Sequence, residues 1–493
     1  MTEPVSAAPG DVAPTELRSS AAKGVMWTGL GQVLRQVVAF GTQIVLARLL
    51  APEAFGLVAM MTIASELAML FADFGIGSAI VQRRQIDRKL LSTCFWLNLG
   101  VAAVCAIALI GAGPFMASYF GHTELIVLTM IAGFNLLVNG AMVIPQAVLM
   151  RRMHFRQLTV GQTIGSLTGS FVAVGAALMG AGVWSLAIQP VLGSFMALLL
   201  MARAAEWHPD FSMDKKSIGS LVNFGGNLLG ANLLGFVGRN MHSFLIGKSL
   251  GSASLGIYNM AQTIAYMPAY QVSVVVQKVL FPTLSRLQDD RPGLRSAYLR
   301  AVGAVALCTF PMMMGLYATA DDLVPVVLGP DWLPMVVVLK IVSWAWMIQS
   351  VGTIAGTILV SIGETRLMFR VMGLTTALTV VALLFGIRGG LLGVAIAASL
   401  ATALSYAIIV VIALARIELP LLTYLATLIR PFAAAVGMTA IVLVIREALP
   451  DVAPMVRLVA CVSGGVLAYL GWTLVLNREQ AFDLLRFAKS ARG

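Results

Sequence analysis

Apolar residues run in blocks of roughly twenty or more along the whole chain, separated by short segments that collect Arg, Lys, Asp and Pro. A block of that length crosses the hydrocarbon core of a bilayer as a single helix. The pattern predicts an all-α polytopic membrane protein of about fourteen transmembrane helices, with twelve as the next count. The spans fall at 23–47, 54–82, 90–112, 124–150, 157–180, 183–205, 217–247, 254–284, 297–319, 334–362, 366–387, 391–415, 424–446 and 454–476. Residues 1–22 read as a disordered tail with no cleavable signal peptide, so the first span itself would direct insertion. Residues 477–493 form a second tail.

Composition agrees with the pattern. The 493 residues are 59% hydrophobic and 11% charged, with a mean hydropathy of +0.90, whereas a soluble chain averages about 25% charged. A soluble enzyme is excluded. The net charge of +11 would point a soluble protein toward nucleic acid, but here it follows from topology. With the N-terminus inside, 24 of the 33 Lys and Arg residues fall in inside segments, among them Arg83, Arg84, Arg151, Arg152, Arg286 and Arg295. Outside fall Arg48, Lys248, Arg388, Arg446 and Arg457, and within spans Arg35, Arg239, Lys278 and Lys340. The positive-inside bias therefore predicts that both termini are cytoplasmic, with the membrane and not nucleic acid as the environment. Cys94, Cys105, Cys308 and Cys461 sit in apolar blocks without paired spacing, so neither a disulfide framework nor a metal site is indicated.

An offset of 200 residues aligns Leu46–Met60 with Ile246–Met260, with Leu50/Leu250, Gly56/Gly256 and Met60/Met260 identical. Arg152 with Phe155-Arg156 recurs as Arg366 with Phe369-Arg370. Six spans separate the equivalent positions, which makes the repeat parallel, an arrangement found in secondary transporters. It predicts two pseudo-symmetric six-helix lobes, 23–205 and 217–415, facing each other across a central cavity, followed by two further helices at 424–476. The longest outside connection, about 320–333, is too short for a domain.

Three stretches carry a resemblance. Lys23-Gly-x-x-Trp-x-x-x-Gly31, the turn Ala47-Arg-Leu-Leu-Ala-Pro-Glu-Ala-Phe-Gly56 and Asp73-Phe-Gly-Ile-Gly-Ser-Ala79 resemble bacterial polysaccharide exporters, the Wzx-type flippases of the multidrug/oligosaccharidyl-lipid/polysaccharide superfamily. The resemblance implies movement of an undecaprenyl-diphosphate-linked oligosaccharide from the cytoplasmic to the periplasmic leaflet of the bacterial inner membrane. It implies alternating access, a role in exopolysaccharide, capsule or lipopolysaccharide synthesis, and polysaccharide polymerase and chain-length machinery as partners.

Charge at mid-depth is costly and tends to face a cavity or a partner. Arg35 and Glu66 lie near the middle of the first two spans. Arg35 suits an anionic, diphosphate-bearing head because its planar fork makes two charge-assisted hydrogen bonds; the other reading is an Arg35/Glu66 pair that fixes two helices. Asp73, seven residues beyond Glu66, is a candidate ion- or proton-coupling carboxylate or a helix-packing group. Arg239 is the second-lobe candidate for substrate contact, while Lys278 and Lys340 suit snorkelling at span ends. Spans seven and eight are rich in polar and aromatic side chains, including Asn232, Asn240, Gln262, Tyr266 and Tyr270. Of these, Asn232, Tyr266 and Tyr270 are candidate sugar contacts, and interhelical hydrogen bonding is the competing use.

Catalytic signatures are lacking. The four His residues are scattered, no Gly-x-x-x-x-Gly-Lys-Ser/Thr loop occurs, and no cofactor is expected. A drug/cation antiporter of the same superfamily, a membrane polymerase or glycosyltransferase, and a scaffold are the alternatives. An antiporter conflicts with a cationic pathway, an enzyme with the short loops, and a scaffold has no need of charge at mid-depth.

Overall fold

The computed structural model describes residues 14–72, 80, 88–211, 215–288 and 290–476. Every regular element among them is helical. The helices are α1 (Pro14–Leu49), α2 (Pro52–Ala72), α3 (Arg88–Phe120), α4 (Glu124–Arg151), α5 (Phe155–Leu178), α6 (Val183–Ala205) and α7 (Lys215–Arg286), then α8 (Arg291–Val327), α9 (Met335–Ser361), α10 (Thr365–Gly386), α11 (Gly390–Arg416), α12 (Leu421–Ala448) and α13 (Pro454–Leu476). Among the described residues, 10 segments are long and apolar enough to cross a membrane, one of which, Thr365–Arg416, contains both α10 and α11. The chain is a multi-pass helical membrane protein. α5 and the two arms of α7 are not among the 10 segments.

Several helices outrun their apolar blocks, α1 at its start and α3 as far as Phe120 among them, and two connections differ from the sequence pattern for an identifiable physical reason. Spans seven and eight join without a loop: α7 is continuous except at Gly251, whose φ of 82° is open to glycine without strain and bends the helix into two arms. The outside connection at 320–333 is not open chain either. α8 runs on to Val327 and the turn Pro330–Trp332 follows, with Trp332 fully buried. The acids that marked this stretch as a loop are neutralised where they stand. Lys340 Nζ lies 2.7 Å and Arg446 Nη1 2.6 Å from Asp321 Oδ2, and Arg457 Nε donates to Asp322 Oδ1 at 2.9 Å. Lys340 is thus an ion-pair partner and not a snorkelling side chain. The same network joins α12 and α13, the helices outside the repeat, to α8 and α9.

The chain forms two compact units, up to Gly256 and from Ile257 onward. In the first, α3 and α4 approach closely at Gly140, where Asn98 Nδ2 donates to the Gly140 carbonyl at 2.8 Å. α5 and α6 meet through Gly165, Gly169 and Gly193; a Cβ on Gly169 would lie 2.4 Å from the Gln189 carbonyl oxygen. At the end of this unit the repeated turns touch. A Cβ on Gly56 would lie 1.8 Å from the Ser252 carbonyl oxygen, and one on Gly256 would lie 1.9 Å from that of Pro52. Position 52 corresponds to 252 and 56 to 256 in the internal alignment, so the two contacts are exchanged by the repeat. In the second unit, α8, α9 and α11 enclose a core that includes Tyr298, Phe310, Ile354, Ile358 and Ala413.

Candidate functional site

The first unit carries an open recess of about 710 Å³ whose lining mixes polar and apolar groups. Its walls come from Gln32 and Arg35 of α1, Met142 of α4, Gln162 and Ser166 of α5, and Gln189, Pro190, Gly193, Ser194 and Ala197 of α6. Helical spacing explains the grouping. Gln32/Arg35 and Gln162/Ser166 are pairs three and four residues apart, so each shares one helix face. The glycine contact between α5 and α6 then brings Gln162 and Gln189 to the same space. Pro190 lacks the backbone N–H that would close a helical hydrogen bond.

Arg35 is the one charged side chain among the described lining residues. Its Nη2 donates to Gln32 Oε1 at 2.8 Å, while Nη1 is buried with no hydrogen-bond partner among the described residues. The alternative pairing with Glu66 does not form. Glu66 instead accepts from Asn240 Nδ2 at 2.9 Å, which ties α2 to the first arm of α7. Arg239, next in sequence, is exposed and folds back over its own helix, with Nη1 3.0 Å from where a Cβ on Gly235 would stand. Asp73 and the Asn232 side chain lie outside the described residues.

In the second unit Tyr266 and Tyr270 stack with ring centroids 4.6 Å apart, and Trp346 of α9 packs edge-on to Tyr266 at 5.1 Å. Trp346 Nε1 donates to Gln262 Oε1 at 2.8 Å, and Gln262 Nε2 donates to Tyr258 Oη at 2.8 Å. The buried Tyr258 thereby anchors a chain of groups that ends at Tyr270, which is 45% exposed. Flat aromatic faces beside amides are the surface that a sugar ring packs against. The sequence pattern paired the two tyrosines but missed Trp346, which reads as one more apolar residue of α9. It also missed Gln32, Gln162, Ser166, Gln189 and Ser194, whose only signal is their spacing along otherwise apolar helices.

Many membrane-length helices, with a recess that has Arg35 among its described lining residues, define a polytopic membrane protein. The polysaccharide biosynthesis protein family model matches residues 45–337, more than half of the chain, and the chain belongs to that family. It is 25% identical over 378 residues to the lipopolysaccharide biosynthesis protein WzxC of Escherichia coli (strain K12), covering 75% of this chain and 76% of that protein. It is 28% identical over 320 residues to the succinoglycan biosynthesis transport protein ExoT of Rhizobium meliloti (strain 1021), covering 65% of each. Its fold matches the lipid II flippase MurJ in an inward closed conformation with a TM-score of 0.73 at 14% identity, covering 92% of this chain and 99% of that one. The family match and the relatives agree with the resemblance to bacterial polysaccharide exporters, and the MurJ likeness agrees with it in fold.

Proposed function

We propose that the protein flips an undecaprenyl-diphosphate-linked oligosaccharide from the cytoplasmic to the periplasmic leaflet of a bacterial inner membrane by alternating access, with both termini cytoplasmic. It performs no bond chemistry. Its product passes to polysaccharide polymerase and chain-length machinery for exopolysaccharide, capsule or lipopolysaccharide synthesis. The observation that carries this reading is the amide- and hydroxyl-lined cavity with Arg35 in its wall. A polar, anionic head gains from such a lining, while its lipid tail remains in the bilayer. A cationic drug would meet Arg35 and no described acid in that wall, which speaks against antiport of cations.

The test is reconstitution of the full chain into proteoliposomes carrying lipid-linked oligosaccharide in the leaflet of origin. Exposure of the glycan to an external glycosidase should depend on the protein. Arg35→Ala should slow the movement by about tenfold or more, the scale of losing a charge-assisted hydrogen bond. Equal rates for empty liposomes, protein liposomes and both Arg35→Ala and Arg35→Lys variants would overturn the reading.

A further inference from the structure

The internal repeat sets one short motif at the same point of both units, and the two copies differ in what they touch. In the first copy, Arg152 Nη1 donates at 2.8 Å to the carbonyl of Ala205, the last residue of α6, and the Arg156 guanidinium lies over the Trp27 ring at 5.5 Å. Both cations are used within the fold. For the second copy neither use is open. The end of α11 is already taken, because Arg295 Nε donates to the Ile417 carbonyl at 2.6 Å. Asn227, the counterpart of Trp27 at the offset of 200, has no ring to offer. Glu364, the acid beside the motif, pairs with Arg416 Nε at 3.4 Å. Arg366 and Arg370 are exposed, and neither has a hydrogen bond, ion pair or ring contact among the described residues.

The rest of α10 completes the pattern. Leu367, Met368 and Val371 pack on the core of the second unit, so Arg366 and Arg370, one turn apart, share the outward face. Phe369 stands beside them, 53% exposed, and the apolar side chains of Leu374 and Val381 are exposed further along the helix. Eight residues, about 12 Å of helix, separate Arg366 from Leu374, and one leaflet contributes about 15 Å of hydrocarbon. Two cations at the membrane end followed by apolar side chains over the depth of a leaflet match a phospholipid lying along the helix. Guanidinium forks take phosphate oxygens by charge-assisted hydrogen bonds, and basic side chains at the membrane surface draw anionic lipids. We propose that the face of α10 bearing Arg366, Phe369 and Arg370 is a binding site for an anionic phospholipid of the surrounding bilayer. The two guanidinium groups hold the headgroup phosphate, and Phe369 and Leu374 lie against an acyl chain. The first copy, whose cations are engaged, has no such preference. This inference rests on the transport reading only in assigning this end of α10 to the cytoplasmic leaflet.

The experiment uses the full chain in a cysteine-free background, in phosphatidylcholine nanodiscs doped with phosphatidylglycerol or phosphatidylcholine that carries a nitroxide on an acyl chain. A bimane on Leu374→Cys reads the lipid at the site. One on Val160→Cys, which follows Arg152 by the same eight residues and is 39% exposed, reads the first copy. Labelled phosphatidylglycerol should be enriched over labelled phosphatidylcholine at Leu374→Cys by about fivefold or more, as its excess quenching, the scale expected of two cations facing an anionic headgroup. Val160→Cys should show no preference. Arg366→Gln together with Arg370→Gln should remove the preference and leave quenching by phosphatidylcholine unchanged, which a misfolded protein would not do. Equal quenching by the two lipids at Leu374→Cys overturns the inference. So does a preference of the same size at Val160→Cys, or one that survives the double variant. Inorganic phosphate that abolishes the preference at constant ionic strength would assign the cations to free phosphate, and overturns the lipid. None of these readouts requires transport, so their failure leaves the flippase reading standing, and a protein that moves no glycan still answers them.

Discussion

Arg35 was legible because a charge inside an apolar run is conspicuous in any sequence, whereas the groups that share its cavity were not. Gln162, Ser166, Gln189 and Ser194 are uncharged side chains of a kind common in membrane helices, and nothing local says that they converge. Their meeting depends on how α5 crosses α6. The same holds for Asp322, which marks a loop by composition yet is buried, its carboxylate 3% exposed against Arg457. Removing one partner of a buried pair leaves the other charge uncompensated. Asp322→Ala should therefore cost about 3–5 kcal/mol of stability, read as a lowered midpoint in chemical unfolding of the detergent-solubilised protein. A loss below 1 kcal/mol would show that the pair is solvated.

Helices were the most legible elements, because a hydrophobic run long enough to span a bilayer has no stable alternative to a helix there. Their ends were less so. α8 outruns its apolar block because Asp321 and Asp322 find Lys340, Arg446 and Arg457 on α9, α12 and α13, partners that no local window contains. At its start Asp290 caps the helix, accepting from the Gly293 amide at 3.1 Å. The α5–α6 pair depends on the absence of side chains at its crossing. Gly169→Leu should push the helices apart at an overpacking cost of about 1–3 kcal/mol. It should also change the wall formed by Gln162 and Gln189, so that transport in proteoliposomes falls together with thermal stability. Stability lost with transport unchanged would separate the crossing from the site.

At the scale of the molecule, the charge distribution and the repeat foreshadowed a helical transporter fold, which the MurJ likeness bears out. The orientation has its own test. The turn at His122, between α3 and α4, should be outside, and that at His154, between α4 and α5, inside. In a cysteine-free background, His122→Cys should react with a membrane-impermeant maleimide in intact cells, and His154→Cys only after permeabilisation. The reverse pattern would invert the topology. Three of the cations expected outside have partners: Arg446 and Arg457 on acids, and Lys248 over the Tyr119 ring at 4.3 Å.

The touching turns at Gly56 and Gly256 bear on kinetics. Their close approach is of main chain to main chain, and beside it Ser252 Oγ donates to Glu53 Oε1 at 3.5 Å. Parting such a seam forfeits dispersion contacts of about 0.1–0.2 kcal/mol per atom pair and exposes little that must be newly solvated. Close packing of main chain is therefore a large part of what holds the two turns together. Because the repeat exchanges its two contacts, the seam favours neither partner and cannot by itself impose a direction on movement. Direction must come from groups that differ in occupancy on the two sides of the membrane.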